Sequence, residues 1–432
     1  MQTEPESEVI TSRQRLILLI TTLVAALWGA RSCFPLIAGR TPHSVKYDLD
    51  CIWLMTGIEP TQSFAGTLRW WTGAWCCDFV PYYRPTTSLL FWMEYRLFGA
   101  NGLQGFTLVH LFSHLVMATL CALFLAELVG WRRATLAMAL WGLHLSRYLG
   151  LGDTSYTFPV WKDSCDIWCC ICYILALWSF LRFLRTDNRR YLWSSVFAFF
   201  VALTFKEMAY TLPLMLLPLL WYEKRLRERY LSLAPFFGVA LFALAYRFWA
   251  LQGPGFRNGT NGAWRHRTIV DLCGPPGMYI VNGNSLPIAF VLLLTAIVLS
   301  RSRKRVALGL AVASALVWGF ASLQTGISMD DLLYRFLTPP MWTDTFYAGF
   351  FLLLVFQFLA NRRREQWLGY AWVVVAHIPL MAMPVGEHGF YLVAIGWSLW
   401  LGEALLATPS LFGLTPICFP KREEAALSGN GH

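Results

Sequence analysis

Two aspartates, Asp48 and Asp50, lie one residue apart in a polar and aromatic stretch, 31–103, that follows the first apolar run of the chain. A short apolar segment comes directly after them. A carboxylate held beside a low-dielectric region has a raised pKa and can accept a proton near neutral pH. The pair is therefore a candidate general base, although the spacing alone favours two solvated loop aspartates.

Lys206 and Glu207 interrupt an apolar stretch of about thirty residues. Ionisable side chains in such a segment are costly to bury and usually face a cavity or a partner. The pair also fits the tight turn of a helical hairpin, and Pro213 nearby supports a break in the helix. The two interpretations are compatible with each other.

Arg84 stands beside Tyr83 and is followed by Pro-Thr-Thr-Ser. An arginine in this setting can contact a phosphate or a carboxylate, or can extend its charge from an apolar surface into water. Thr86 or Thr87 is predicted to cap a short amphipathic helix, Ser88 to Phe98, that lies in the membrane interface.

Further along, Arg265 and Arg267 are predicted to lie outside the membrane, in loop 252–284. Positive charge on that side runs against the usual topological bias, so it is informative. These arginines fit either a lipid phosphate or diphosphate site or an ordinary solvated loop.

The composition restricts the class of protein. Of 432 residues, 56% are hydrophobic and only 14% are charged, whereas a soluble protein carries about 25% charged residues. The chain is therefore predicted to be a polytopic membrane protein. Its net charge of +10 comes from short basic clusters between apolar runs, so topology explains it and no nucleic-acid partner is expected.

The cysteines show no convincing metal-binding pattern. Those between Cys165 and Cys172 head an apolar run, where cysteine acts as a small hydrophobic residue. A disulfide remains open among the five cysteines that are predicted to lie outside the membrane, and sequence alone cannot pair them. These are Cys33, Cys51, Cys76, Cys77 and Cys273.

Twelve apolar runs predict an all-α protein with about twelve transmembrane helices. They cover about 16–30, 107–129, 134–151, 167–183, 191–205, 208–222, 233–251, 286–300, 306–323, 345–360, 366–383 and 389–407. The basic clusters follow the even-numbered spans, so both termini are predicted to be cytoplasmic. Residues 1–408 then form one transmembrane domain with outer loops 31–103, 152–166, 252–284 and 324–344, and 409–432 form a cytoplasmic tail.

Several motifs, in this order, resemble those of the GT-C class of membrane glycosyltransferases. They are Tyr83-Arg84-Pro85-Thr86-Thr87-Ser88, Leu97-Phe98-Gly99, Val109-His110, Leu143-His144, Lys162-Asp163 through Asp166, Phe205-Lys206-Glu207 and Glu387-His388-Gly389-Phe390-Tyr391. The nearest branch is that of the transmembrane and tetratricopeptide-repeat O-mannosyltransferases and their bacterial relatives. More distant members are the protein O-mannosyltransferases and the lipid A aminoarabinose transferases.

The chain departs from the family pattern at identifiable positions. His388 stands where the family has arginine, and Leu145 stands where it has proline. Asp48 and Asp50 match the family's acidic pair only approximately, and Asp163 is the alternative to Asp166 in its motif. No repeat domain is expected.

The resemblance implies a GT-C fold and an enzyme that transfers a sugar from a polyprenyl-phosphate donor with inversion. Asp48 or Asp50 would be the base, and a second group would contact the donor or its leaving phosphate. The residues expected to contact the donor or its leaving phosphate are Tyr83, Arg84, Asp166, Lys206, Glu207, Arg265, Arg267, His388 and Tyr391. No cofactor is expected, and a divalent cation held by the two aspartates is the less favoured option.

The acceptor would be a hydroxyl of a protein, a glycan or a lipid on the outer or luminal face. A bacterial inner membrane and an endoplasmic reticulum membrane both fit the predicted topology. The alternative to an enzyme is a catalytically inactive GT-C-like subunit, or a transporter of lipids or solutes.

Overall fold

The computed structural model describes residues 11–30, 33–38, 49–76, 82–148, 164–253, 364–381 and 391–407. Within these ranges every regular element is a helix. In chain order the α-helices are α1 (Ser12–Gly29), α2 (Cys33–Ile37), α3 (Leu49–Ile58), α4 (Phe64–Thr67), α5 (Pro85–Phe98), α6 (Leu103–Val129), α7 (Trp131–Tyr148), α8 (Ser164–Thr186), α9 (Arg189–Phe205), α10 (Leu212–Tyr222), α11 (Leu226–Arg229), α12 (Ala234–Leu251), α13 (Arg364–Met381) and α14 (Tyr391–Ala407). Single turns of 3-10 helix cover Leu68–Trp71, Glu207–Thr211 and Tyr230–Leu233.

Three helical segments are long and apolar enough to cross a membrane: Gln104–Val129, Ser164–Thr186 and Leu226–Leu251. The chain is therefore a helical membrane protein. Helices occupy nine of the twelve predicted segments. The other three, 286–300, 306–323 and 345–360, lie outside the described residues, as do the loop 324–344, the tail 409–432 and most of loops 152–166 and 252–284. The number of spans and the GT-C fold remain predictions.

Helix α8 lies at the centre of the bundle, where it packs against α6 and α9. Most of its side chains are buried, including Cys165, Cys169, Cys170 and Cys172, which are all free thiols. This burial agrees with the interpretation of the cysteine cluster as small hydrophobic residues. Around this centre α7 packs against both α1 and α14, and α13 pairs with α14.

Residues that the topology places on the cytoplasmic side meet at one end of the bundle. Arg133 at the start of α7 lies 2.8 Å (Nε to Oε1) from Glu403 of α14 and 3.3 Å (Nη1 to Oε1) from Glu365 of α13. Arg185 of α8 lies 2.8 Å from Glu223, which follows α10. These contacts bring together the ends of α8, α10 and α14 and the starts of α7 and α13. The alternating topology and the side that faces the cytoplasm remain predictions.

The described parts of the first loop that follow residue 48 lie at the opposite end of the bundle. Residues 49–76 and 82–98, which we call the cap, enclose a small core of their own with one residue of α6. This core consists of Leu54, Ile58, Trp70, Trp75, Cys76, Phe91 and Phe106. The predicted interfacial helix is present as α5, but it begins at Pro85 rather than Ser88.

The pair α13–α14 is held by a close approach of two backbones. A Cβ added at Gly369 of α13 would lie 2.8 Å from the Trp400 nitrogen and 2.9 Å from the Gly396 oxygen of α14. Both neighbours are backbone atoms, so the helices must separate to admit a methyl group. Only glycine allows this packing.

We expect Gly369→Ala to destabilise the protein by about 1–3 kcal/mol, because overpacking forces backbone shifts. The measurement is the unfolding temperature of detergent-purified protein. Gly238→Ala in α12 is the matched control, since a Cβ there would meet nothing within 4 Å, and it should be neutral or slightly stabilising. Equal unfolding temperatures for the two variants would contradict the close packing.

Candidate functional site

A buried carboxylate, Glu207, is shared by two arginines at the cap end of the bundle. Arg84 donates to Glu207 Oε2 from Nε at 3.0 Å and from Nη2 at 2.6 Å. Arg247 of α12 donates to the other oxygen, Oε1, from Nη1 at 3.0 Å. All three side chains are less than a tenth exposed. Glu207 thus joins the cap, the turn after α9 and the end of α12.

A second ion pair lies directly beside the first. Lys206 Nζ donates to both carboxylate oxygens of Asp166, at 2.5 Å each. Asp166 belongs to the first turn of α8, where the helix dipole also favours a negative charge. The backbone at Lys206 is extended (φ −157°, ψ 151°). Lys206 and Glu207 therefore reach different partners, Asp166 on one side and the two arginines on the other.

Helix α5 brings Arg84 to this position. Thr86 and Thr204 share a hydrogen bond between hydroxyls at 2.7 Å, and Thr87 donates to the Phe205 carbonyl at 2.7 Å. These threonines therefore fasten α5 to the end of α9. The prediction that one of them caps the helix is wrong, because Arg84 is the N-terminal flanking residue and no side chain caps α5.

Aromatic rings fix the direction of the Arg84 side chain. Its guanidinium lies 4.1 Å from the centre of the Tyr82 ring and 5.0 Å from that of Trp75. Such contacts stabilise a cation and restrict its rotamers. Arg84 is thus held by two rings and a carboxylate in the native state.

Sequence reasoning missed Arg247, although the dipeptide Tyr246-Arg247 repeats Tyr83-Arg84. The two arginines share Glu207, and the two tyrosine hydroxyls both donate to the Trp71 carbonyl, at 3.1 Å each. The tyrosine rings are 5.7 Å apart. The signal for Arg247 was an ionisable residue inside a predicted apolar span, which indicates a buried partner.

The electrostatics of the cluster keep these groups charged. Burial alone would raise the pKa of Glu207, but Arg84 and Arg247 outweigh it and lower that pKa to about 2. Burial would likewise lower the pKa values of Arg84 and Lys206, yet their carboxylate partners raise both. Burial also raises the pKa of Tyr83, so its hydroxyl stays protonated and can donate to Trp71.

Five of the predicted site residues therefore come together: Tyr83, Arg84, Asp166, Lys206 and Glu207. Tyr391 has described contacts elsewhere in the bundle. It is buried in α14, where its ring packs edge-on against His114 of α6 at 5.9 Å. His114 in turn stacks on Trp141 at 5.3 Å. The predicted contact of Tyr391 with the substrate stays a prediction.

The remaining predicted residues are not observed at the level of side chains. Asp50 lies in the first turn of α3, within the cap, but its side chain is not described. Asp48, Arg265, Arg267 and His388 lie outside the described residues. Their predicted roles as base or phosphate ligands therefore stay predictions.

The described residues contain no group of three or more His, Cys, Asp or Glu side chains that could hold a metal ion. Of the five cysteines among which a disulfide was considered, Cys33 and Cys76 are buried free thiols. The side chain of Cys51, and all of Cys77 and Cys273, lie outside the described part of the chain.

Comparison with known proteins found no match to any family model, to any curated protein or to any solved structure. Within the described residues the cluster contains three cations and two carboxylates, a net charge of +1 in a buried setting.

We expect Glu207→Gln to destabilise the protein by about 3–5 kcal/mol, because it leaves two buried guanidinium groups beside a neutral amide. The unfolding temperature in detergent is the measurement. Glu228→Gln is the control, since Glu228 forms an exposed pair with Arg225 at 2.8 Å, and exposed pairs contribute about 0–1 kcal/mol. A similar small effect from both variants would show that the Glu207 pairs contribute little.

The same variant gives a pH profile with a defined sign. The pKa of Glu207 falls from 4.5 to about 2 on folding, so the stability it provides is complete above pH 4.5 and is lost as the pH falls toward 2. The difference in unfolding temperature between wild type and Glu207→Gln should be constant from about pH 8 to 5 and should shrink below about pH 4.5. A difference that already shrinks near neutral pH would contradict the lowered pKa.

Proposed function

We propose that the chain is a membrane glycosyltransferase that moves a sugar from a polyprenyl-phosphate donor to an acceptor hydroxyl. The observation that supports this best is the convergence of Arg84, Lys206 and Arg247 at one end of the bundle. They come from the cap, the turn after α9 and the end of α12. The net positive charge suits the phosphate of a lipid-linked sugar, and the order of the sequence motifs points to the same chemistry.

The proposed reaction is a single displacement at the anomeric carbon. Asp48 or Asp50 accepts the proton of the acceptor hydroxyl as the oxygen forms its bond to that carbon. The bond from the carbon to the phosphate oxygen breaks, its electron pair stays on the polyprenyl phosphate, and the configuration inverts. Nearby cations stabilise the charge that develops on the phosphate. Because phosphate is a good leaving group, the step requires no metal.

The cap links the proposed base to the proposed phosphate site. Asp50 lies at the start of α3, and Leu54 and Ile58 of the same helix pack in the cap core with Phe91 of α5. Arg84 immediately precedes α5. With Asp50 as the base, base and phosphate ligand would belong to one packed unit, which would keep the distance between them fixed.

One observation favours the alternative of a catalytically inactive GT-C-like subunit. Arg84 and Lys206 are each buried against a carboxylate, and buried ion pairs of this kind can serve structure alone. The two candidates differ in whether the aspartates matter for a reaction. An activity measurement therefore separates them.

In membranes supplied with a polyprenyl-phosphate carrying tritiated mannose or glucose, wild type should transfer label to endogenous acceptors. Asp48→Asn or Asp50→Asn should lower the rate about 10²–10⁴-fold, the usual contribution of a general base. Arg227→Gln, an exposed position in α11, is the control and should be unchanged.

Full activity in both aspartate variants would make the base assignment wrong. Wild-type membranes that transfer neither sugar, while containing folded protein, would support the inactive subunit.

A further inference from the structure

Two turns at the end of the bundle opposite the cap are joined by ion pairs. One turn connects α8 to α9, and the other connects α10 to α11. Arg185 of α8 pairs with Glu223 at 2.8 Å, and Asp187 of the first turn pairs with Arg229 of α11. These links hold the two turns side by side, so their exposed side chains belong to one surface.

Positive charge exceeds negative charge around these turns. Segments 182–190 and 223–229 hold eight cations and three acids, and Glu127 of α6 adds a fourth acid. Each of the four acids pairs with a different arginine; these arginines are Arg182, Arg185, Arg225 and Arg229. A net charge of +4 is therefore left over among these residues.

Three exposed cations flank the linked turns, and the structure describes no ion pair between them and any acid of the described ranges. Arg189 and Arg190 begin α9, and Lys224 directly follows the linked Glu223. We call Arg189, Arg190 and Lys224 the basic surface. Clustered cations beside a membrane attract lipids with anionic headgroups.

Lys224 adopts a backbone conformation that usually belongs to glycine. Its φ is 59°. Its N–H donates to the Trp221 carbonyl at 3.1 Å, and the N–H of Arg225 donates to the Leu220 carbonyl at 2.9 Å, the pattern of a glycine-terminated helix. A side chain is strained in this left-handed conformation. Replacement by glycine therefore removes the charge of Lys224 while favouring the same backbone.

The basic surface lies at the boundary of the membrane. Helix α8 and the segment Leu226–Leu251 are both long and apolar enough to cross it. Arg189 comes shortly after the end of α8, and Lys224 comes just before Leu226. Trp193, one turn after Arg189, and Tyr230 are exposed, and such amphipathic aromatic side chains are typical of the headgroup level.

Helices α9 and α12 provide an apolar surface that leads away from these cations. They contact each other through Phe199 and Phe236, with ring centres 5.9 Å apart. Beside this contact Phe197 of α9 is 67% exposed, and Phe237 and Leu241 of α12 are 42% and 67% exposed. In a membrane these side chains offer a surface for acyl chains next to a surface for a headgroup.

We propose that the basic surface binds the headgroup of an anionic phospholipid from the surrounding leaflet. Arg189, Arg190 and Lys224 contact its phosphate, and its acyl chains lie along the exposed faces of α9 and α12. The charge excess favours an anionic lipid over a zwitterionic one. Because the Glu207 cluster lies at the other ends of α9 and α12, this site is separate from it, and the proposal does not depend on sugar transfer.

The test is the local enrichment of one lipid around a labelled position. Ser194, one turn after Arg190 and exposed, is replaced by cysteine and labelled with bimane in the full-length protein. The vesicles are phosphatidylcholine with a minor fraction of either brominated phosphatidylglycerol or brominated phosphatidylcholine. Leu108→Cys, an exposed position of α6 at the cap end, is the reference, and unsubstituted protein gives the background from native cysteines.

Brominated phosphatidylglycerol should quench Ser194→Cys several-fold more than brominated phosphatidylcholine does, whereas the two lipids should quench Leu108→Cys equally. Equal quenching of Ser194→Cys by the two lipids would overturn the proposal. So would a similar preference for phosphatidylglycerol at both labelled positions, because the enrichment would then not be local.

Charge variants in the Ser194→Cys protein separate a site from the general charge of the protein. Lys224→Gly and Arg189→Gln should each lower the preference for phosphatidylglycerol at least twofold. Arg15→Gln, which removes the same charge from an exposed position of α1, should leave it unchanged. An equal loss in all three variants would show that net charge alone attracts the lipid. The unfolding temperature of Lys224→Gly should be unchanged or raised, and Arg189→Gln provides the same test without a change of backbone preference.

Discussion

Glu207 is the point at which the cap end of this protein is held together. Its two oxygens are divided between arginines from segments that are 163 residues apart in the chain, 84 and 247. Burying three charges is costly, and only close, well-aligned pairing offsets the loss of hydration. Separation of the cap from α12 would break this pairing and leave buried charges without the interactions that offset their lost hydration. The arrangement therefore favours a rigid site over a mobile one.

The opposite end of the bundle uses the same residue types differently. Arg364 donates to the carbonyls of Trp221 and Tyr222 at the end of α10, and Arg185 donates to the carbonyl of Glu127 in α6. Cations at helix C-termini satisfy the last carbonyls and complement the helix dipole. The basic clusters that predict topology from sequence thus also fasten helix ends, a role that their spacing did not reveal.

Sequence patterns predicted most helices, four of the five charged residues of the cluster and the neighbouring Tyr83, because helices and charges within apolar runs leave local signals. Apolar runs mark the helices, and Lys206-Glu207 stands out as a charged pair within such a run. The ion pairs themselves could not be predicted from the sequence, since only tertiary packing brings Glu207 to Arg84 and Lys206 to Asp166. Arg247 was missed although it carries the same signal, an ionisable residue within an apolar run. Thr86 and Thr87 were misassigned because local capping preference does not register the contact with α9.

A single backbone oxygen, that of Trp71, receives both Tyr83 and Tyr246. A carbonyl has two lone pairs, so this atom is saturated by the cap on one side and by α12 on the other. Because Trp71 and Tyr83 both belong to the cap, a tilt of the cap relative to α12 strains the Tyr246 hydrogen bond at this oxygen, together with the Glu207 pairs beside it. The cap and α12 are therefore mechanically coupled, and a displacement of one is expected to move the other.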